Sequence, residues 1–220
     1  MELNKYIDHT LLKADANKED IINLCKEAME YNFATVCVNP THVKLAAEIL
    51  KGSDVGITSV VGFPLGASTT DSKVFETKNA IENGATEIDM VINVGAIKDK
   101  NWDLVLFDMQ QVKKVAKNSI VKVILENCLL KKDEIIKACE LAVEAKLDFV
   151  KTSTGFSTNG AIFEDVKLMK ETIKDKALVK AAGGIRSYED AIRMIESGAS
   201  RLGTSGGIAI IKGQKNDKSY

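Results

Sequence analysis

The chain has 220 residues, 30 Lys and Arg against 31 Asp and Glu, and a formal net charge of −1. This length fits one domain, and the absence of any basic or acidic block argues against nucleic acid or an anionic membrane as a partner. The first residues lack the pattern of a signal peptide, and no apolar stretch is long enough to span a bilayer. The four cysteines form no Cys-x-x-Cys pair, so we expect free thiols and a cytoplasmic location.

One sequence pattern recurs along the chain. A helical segment ends in an acidic residue and a small or turn-forming one, and a strand begins a few residues later. The pattern occurs at 30–37, 82–89, 144–150 and 196–203. Gly84 and Gly198 suit the left-handed residue that closes a helix. This is the joint expected between the helix and the strand of a repeating β/α unit.

Eight strands are predicted around these joints, at Tyr6–Leu11, Thr35–Asn39, Ile57–Phe63, Glu87–Asn93, Val121–Glu126, Phe149–Ser153, Leu178–Gly183 and Arg201–Ser205. Amphipathic helices are predicted between them, at Lys18–Tyr31, Thr41–Leu50, Asp71–Asn83, Trp102–Lys117, Lys132–Ala145, Glu164–Lys174 and Tyr188–Ser197. This alternation favours an α/β fold of the (β/α)₈ TIM-barrel type, with eight parallel strands. A doubly wound sheet is the rival, but its Gly-x-Gly-x-x-Gly turn is missing. We expect one catalytic domain over 1–212 and a flexible C-terminal tail over 213–220.

Two lysines inside apolar strands carry the clearest chemical signal. Lys151 follows Phe149-Val150, and Lys180 follows Leu178-Val179. Lysine is rare in protein cores, and a single one would be read as a side chain that snorkels outward or pairs with a carboxylate. Two lysines on adjacent strands predict a catalytic role. Burial and a neighbouring ammonium both lower the pKa of a lysine, and this favours the neutral, nucleophilic amine. The residues alone leave open which lysine is the nucleophile.

The loops after the last two strands are rich in glycine. Gly183 and Gly184 lie at the end of predicted strand seven, Ser205 and Gly206 lie at the end of predicted strand eight, and Arg186 lies nearby. In this architecture such loops, with a short helix N-terminus, often bind phosphate. Glycine pairs alone more often mark tight turns, so the prediction depends on their position beside the lysines.

Other polar residues near the strand ends allow two interpretations. Asp89 could move protons on a bound carbonyl compound, whereas Asp8 could instead hold a lysine. Glu126 fits either role. His9 is more easily explained as a hydrogen-bonded structural residue, and Cys37 as packing, although a thiol near the barrel mouth could react with aldehydes.

Six motifs together resemble the 2-deoxyribose-5-phosphate aldolases. They run in order along the chain as Ile-Asp-His-Thr-Leu-Leu-Lys (7–13), Val-Cys-Val-Asn-Pro (36–40), Val-Gly-Phe-Pro-Leu-Gly (61–66), Glu-Ile-Asp-Met-Val-Ile-Asn (87–93), Val-Lys-Thr-Ser-Thr-Gly-Phe (150–156) and Val-Lys-Ala-Ala-Gly-Gly-Ile-Arg (179–186). The sequence departs from the common family pattern at Asn127, Asn159, Ala182 and Gly206. None of these departures removes a catalytic group.

The resemblance implies a reaction and roles for particular residues. It implies a reversible cleavage of 2-deoxy-D-ribose 5-phosphate to acetaldehyde and D-glyceraldehyde 3-phosphate through a lysine Schiff base, without metal or other cofactor. Lys151 matches the Schiff-base lysine, Lys180 the second active-site lysine and Asp89 the proton-relay aspartate. Tyr220 matches a terminal tyrosine that assists proton transfer. We add Thr152 to the expected substrate-binding residues. We also expect a homo-oligomer and favour a dimer.

Two other functions stay open at this point. A metal-dependent aldolase or isomerase acting on a phosphosugar could use Asp8, His9, Asp89 and Glu126, although two histidines are few for a metal site. A non-catalytic phosphosugar-binding barrel is the third possibility. It leaves the lysine pair unexplained, because binding phosphate requires neither burial nor mutual repulsion of two ammonium groups.

Overall fold

A closed barrel of eight parallel strands forms the centre of the protein in the computed structural model, which describes residues 2–214. Each strand pairs with the next along the chain, and the first pairs with the last. The strands are β1 Ile7–Leu11, β2 Thr35–Val38, β3 Gly56–Val61, β4 Glu87–Val91, β5 Ile120–Ile124, β6 Phe149–Lys151, β7 Leu178–Ala182 and β8 Arg201–Thr204. The predicted (β/α)₈ fold is confirmed.

Helices connect successive strands and cover the barrel. They are α1 Lys18–Glu30, α2 Val43–Ile49, α3 Thr70–Glu82, α4 Val94–Lys98, α5 Trp102–Ala116, α6 Lys132–Glu144, α7 Phe163–Ile173, α8 Tyr188–Glu196 and α9 Gly207–Ile211. Short 3₁₀ turns lie at Leu3–Tyr6, Pro40–His42 and Asn127–Leu129. The sequence did not predict α4 and α9, because five residues are too few to show a helical period. Among the described residues, no helix has the length and apolar character needed to cross a membrane.

The joints between helices and strands have the predicted conformation. Gly84 and Gly198 have φ values of 110° and 113°, in the region that L-residues avoid. At the two equivalent joints without glycine, Asn32 and Lys146 have φ values of 50° and 58°. All four residues reverse the chain after a helix, so the next strand can enter the barrel.

The outer and inner faces of the strands differ in character. Outward-facing side chains such as Val36, Val179 and Leu202 are fully buried in the main apolar core. The inside of the barrel instead contains charged and hydroxyl side chains, which contact one another across it. Burying so many charges is unfavourable unless each one is paired. The barrel interior is therefore where a function for these groups should be sought.

Candidate active site

Lys151 and Lys180 lie side by side in the barrel. They are register partners on β6 and β7, and both are buried. The predicted strand 149–153 was too long, since β6 ends at Lys151. Lys151 is therefore the last residue of its strand, at the carboxyl end of the barrel where TIM-barrel active sites lie.

A single carboxylate oxygen contacts both lysines. Oδ2 of Asp89, on β4, accepts hydrogen bonds from Lys151 Nζ at 2.7 Å and from Lys180 Nζ at 2.8 Å. Burial opposes the charge of Asp89, but three surrounding lysines outweigh it and hold its pKa well below the usual range. Asp89 is therefore ionised, and its Oδ2 lies within hydrogen-bond distance of both lysine side chains.

The two lysines differ in their other partners. Lys180 forms a second ion pair, at 2.5 Å, with Oδ2 of Asp8 on β1. Burial favours the neutral amine of Lys180, but Asp8 and Asp89 outweigh it and raise its pKa. For Lys151 burial dominates, Asp89 opposes it, and the Lys180 ammonium adds to it, so the pKa of Lys151 is lowered. These contacts favour the neutral amine at Lys151 and the ammonium at Lys180, while the role of Lys151 as the nucleophile stays a prediction.

Three residues that were not predicted from the sequence lie in the same cluster: Lys122, Glu87 and Arg201. Lys122 on β5 donates to Asp89 Oδ1 at 2.9 Å and forms an ion pair with Glu87 on β4. Arg201, at the start of β8, contacts Asp8 Oδ1 at 2.7 Å and Glu87 Oε2 at 3.3 Å. A signal for Lys122 was present, since it is a third lysine flanked by apolar residues in Ile-Val-Lys-Val-Ile.

Glu126 joins the loops that follow β5 and β6. Its backbone is left-handed, with φ of 56°, and its carboxylate accepts hydrogen bonds from the Thr154 amide, at 3.2 Å to Oε1, and from the Thr154 hydroxyl. Glu126 is buried. Of the two roles that the sequence allowed, this geometry favours positioning of the loop after Lys151.

The predicted substrate-binding residues lie around the ends of β6, β7 and β8. Thr152 is fully buried, and its hydroxyl exchanges hydrogen bonds with the backbone N–H and C=O of Ala182. In the described structure its side chain therefore ties β6 to β7, and a contact with substrate stays a prediction. Gly183 is buried with φ of 81°, whereas Gly184 and Arg186 are exposed.

The loop after β8 lies next to the loop after β7. The Thr204 hydroxyl donates to the Ile185 carbonyl at 3.1 Å and accepts from the Gly206 amide at 3.0 Å. Ser205, between them, is partly exposed just before α9. The structure therefore brings the two predicted phosphate loops together, while phosphate binding itself stays a prediction. Tyr220 lies outside the described residues.

His9 and Cys37 have the surroundings of structural residues. His9 Nε2 is 2.7 Å from Glu27 Oε2 on α1, and its ring lies 5.0 Å from that of Phe33. Cys37 is fully buried, and burial raises the pKa of its thiol despite the nearby lysines. A protonated, buried thiol is a weak nucleophile, so packing is the favoured role.

The four residues of the metal-dependent alternative do not all converge on one point. His9 and Glu126 bond to Glu27 and to Thr154, while Asp8 and Asp89 bind ammonium groups. Within residues 2–214, no group of three or more His, Cys, Asp or Glu side chains is arranged to hold a metal ion.

Comparison with known proteins identifies relatives of this chain. The family model "DeoC/LacD family aldolase" matches residues 3–212. Deoxyribose-phosphate aldolase 1 of Mesoplasma florum is 67% identical over 220 residues, which cover 100% of both chains. The crystal structure of a putative deoxyribose-phosphate aldolase from Coccidioides immitis superposes with a TM-score of 0.94 at 46% identity, covering 96% of this chain and 85% of that one. A deoxyribose phosphate aldolase from Aeropyrum pernix, described as a unique tetramer, superposes with a TM-score of 0.90 at 33% identity, covering 96% and 89%. The match along almost the whole chain means that this protein belongs to the DeoC/LacD family of aldolases.

Proposed function

We propose that this aldolase cleaves 2-deoxy-D-ribose 5-phosphate reversibly to acetaldehyde and D-glyceraldehyde 3-phosphate through a Schiff base on Lys151. One observation carries the assignment of the nucleophile. Lys180 is held by two buried carboxylates, whereas Lys151 is held by one, which it shares with Lys180. The relatives named deoxyribose-phosphate aldolase support the choice of substrate.

The reaction begins at the Lys151 amine. The amine attacks C1 of the open-chain sugar, and loss of water gives an iminium ion. Removal of the proton from the C3 hydroxyl breaks the C2–C3 bond, which releases glyceraldehyde 3-phosphate and leaves the electron pair in an enamine on Lys151. Protonation of C2 and hydrolysis of the resulting iminium release acetaldehyde and restore the amine.

Asp89 and Lys180 handle protons during these steps. Asp89 Oδ2 lies between the two amines, so it can take a proton from the attacking Lys151 and exchange one with Lys180. Lys180 is the acid of the pair, because its two carboxylates stabilise its ammonium form. Their positions suit proton transfer to the departing water and from the C3 hydroxyl.

The phosphate is proposed to bind at the loops after β7 and β8. Backbone N–H groups at Gly183, Gly184 and Ser205 can donate to phosphate oxygens, and Arg186 can add charge. Gly206, whose N–H already donates to the Thr204 hydroxyl, would shape the same loop. Thr152 completes the proposed substrate-binding residues. The hydrogen bond between Thr204 and Ile185 supports a site shared by the two loops.

Tyr220 and the assembly complete the proposal. We propose a catalytic domain over 1–212. From the family resemblance we also propose that Tyr220 assists proton transfer. Deletion of Tyr220 should then slow the exchange of acetaldehyde methyl protons with solvent deuterium. We propose a cytoplasmic homo-oligomer. The Aeropyrum pernix relative is described as a tetramer, and light scattering would distinguish a dimer from a tetramer here.

The central experiment is chemical trapping of the imine. With acetaldehyde and borohydride, peptide mass spectrometry should find an ethyl group on Lys151, and Lys151→Arg should prevent this modification. Ethylation of Lys180 instead would reverse the assigned roles. Absence of any ethylated active-site lysine in protein that cleaves the sugar would refute the Schiff base.

A further inference from the structure

Arg201 closes a ring of ion pairs inside the barrel. Its guanidinium contacts Asp8 on one side and Glu87 on the other. Asp8 also binds Lys180, Glu87 also binds Lys122, and both lysines bind Asp89. The ring therefore has six members, in the order Arg201, Asp8, Lys180, Asp89, Lys122 and Glu87.

The six members of this ring have no net charge together, and Lys151 is an additional group outside the ring. Three cations alternate with three carboxylates, and each carboxylate contacts two cations of the ring. Lys151 is attached to the ring through Asp89 as a seventh group. As an ammonium it would add one uncompensated charge to a buried site, which is unfavourable. As an amine it leaves the site neutral.

We propose that Arg201 is a positioning residue of the aldol reaction, which completes the neutral ring and thereby makes Lys151 the group that gives up its proton. A guanidinium suits this role because it remains charged at any working pH and its fork can reach two carboxylates at once. The inference rests on the proposed function of Lys151.

The surroundings of both groups fit this account. Lys151 faces Asp89, Lys180 and Cys37, and desolvation of the thiol opposes its ionisation. Arg201 faces Asp8 and Glu87, and its guanidinium and the Lys122 ammonium lie 5.6 Å and 5.8 Å from the ring centroid of Phe149. The side chain of Arg201 is only 14% exposed, so solvent screens its charge weakly.

Charge variants test the inference in both directions. Arg201→Met leaves one ring carboxylate without its counter-charge, so Lys151 should stay protonated to higher pH. The pH midpoint for ethylation of Lys151 by acetaldehyde and cyanoborohydride should rise by about 1 unit, the order expected when one weakly screened charge is removed from a cluster with an effective dielectric constant of about 20. Glu87→Gln leaves an excess cation and should lower the midpoint. The Arg201→Met/Glu87→Gln double variant restores the balance and should return the midpoint towards that of the unchanged protein.

Two further comparisons make the outcome decisive. Arg201→Lys keeps the charge and should keep the midpoint, even if the shorter reach of lysine lowers the rate. If Arg201→Met does not fold, Glu87→Gln and the double variant still test the charge balance. Midpoints that are the same in all folded variants, while Lys151 is still ethylated in the unchanged protein, would overturn the role of Arg201 alone. Failure of ethylation in the unchanged protein would overturn the proposed function instead.

Discussion

Asp89 Oδ2 accepts a hydrogen bond from Lys151 at 2.7 Å and another from Lys180 at 2.8 Å, so one carboxylate oxygen joins the two lysines of the site. On this contact alone the two amino groups would be equivalent. Asp8 makes them unequal, because it pairs with Lys180 and not with Lys151. In the proposed mechanism the difference between nucleophile and acid therefore depends on Asp8 of β1, far from either lysine in sequence.

Replacing Lys180 by leucine should separate these roles. The Lys180 ammonium disfavours a second charge on Lys151, so its removal should raise the pKa of Lys151. Because only the neutral amine attacks a carbonyl, the acidic limb of the pH profile for imine formation should move to higher pH. Loss of the proton donor should also lower kcat by about 10²–10⁴-fold at every pH.

Lys113→Leu is the matched control for this prediction. Lys113 pairs with Asp148 at 2.6 Å, away from the barrel interior, so its loss should leave the pH profile in place. Circular dichroism should show a folded protein for both variants. An unchanged acidic limb in folded Lys180→Leu would contradict the electrostatic account of Lys151.

The eight β/α units and the two lysines were predictable from sequence because both depend on local pattern. Apolar strand segments and joints such as Gly84 repeat along the chain, and a lysine inside an apolar strand is conspicuous by itself. Motif resemblance then selected Lys151 as the nucleophile. These parts of the site needed no knowledge of which residues meet in space.

The ring of ion pairs could not be predicted in the same way. Arg201 and Asp8 are separated by 193 positions, and they meet only because β8 closes the barrel onto β1. Alternation along Glu87–Val91 does not reveal whether the charged residues face the barrel or the helices. In most barrels the interior is apolar, so the usual expectation gave no reason to place Glu87 or Lys122 inside.

Chelation of divalent metal ions should leave the activity unchanged. The nucleophile is an amine and the electron sink is an iminium ion, so no step requires a metal. The carboxylates Asp8 and Asp89 already bind ammonium groups. Sugar cleavage should be assayed after prolonged incubation with excess EDTA and gel filtration into metal-free buffer. Loss of activity that zinc or another divalent ion restores would favour the metal-dependent alternative.

Arg186→Ala should weaken the response to the phosphate group. Arg186 is exposed beside the loop after β7, and loss of one charge-assisted hydrogen bond should raise KM for deoxyribose 5-phosphate by about 10-fold. The kcat/KM for unphosphorylated deoxyribose should hardly change. Lys176→Ala, which removes an exposed cation just before β7 begins, is the control and should affect neither sugar. An equal loss of kcat/KM for both sugars in Arg186→Ala would show that this residue does not bind the phosphate.

Outside the active site, a buried ion pair between α3 and α5 should determine much of the stability. Lys73 Nζ is fully buried, 2.5 Å from Asp108 Oδ2 and 2.9 Å from the Val91 carbonyl at the end of β4. The other oxygen of Asp108 is buried without a hydrogen-bond partner in the described structure. Lys73→Met should therefore leave a buried carboxylate unpaired and lower the free energy of unfolding by about 3–5 kcal/mol.

Urea denaturation with two comparison variants can isolate this effect. Lys73→Met/Asp108→Leu removes both charges and should regain most of the lost stability, since apolar replacement of a whole buried pair is often neutral or favourable. Lys78→Met removes one partner of the exposed pair with Glu82, whose side chains are 63% and 62% exposed, and should cost less than about 1 kcal/mol. If the double variant is no more stable than Lys73→Met, the loss reflects the packing of the lysine stem and its bond to Val91, and the unpaired charge of Asp108 is not its cause.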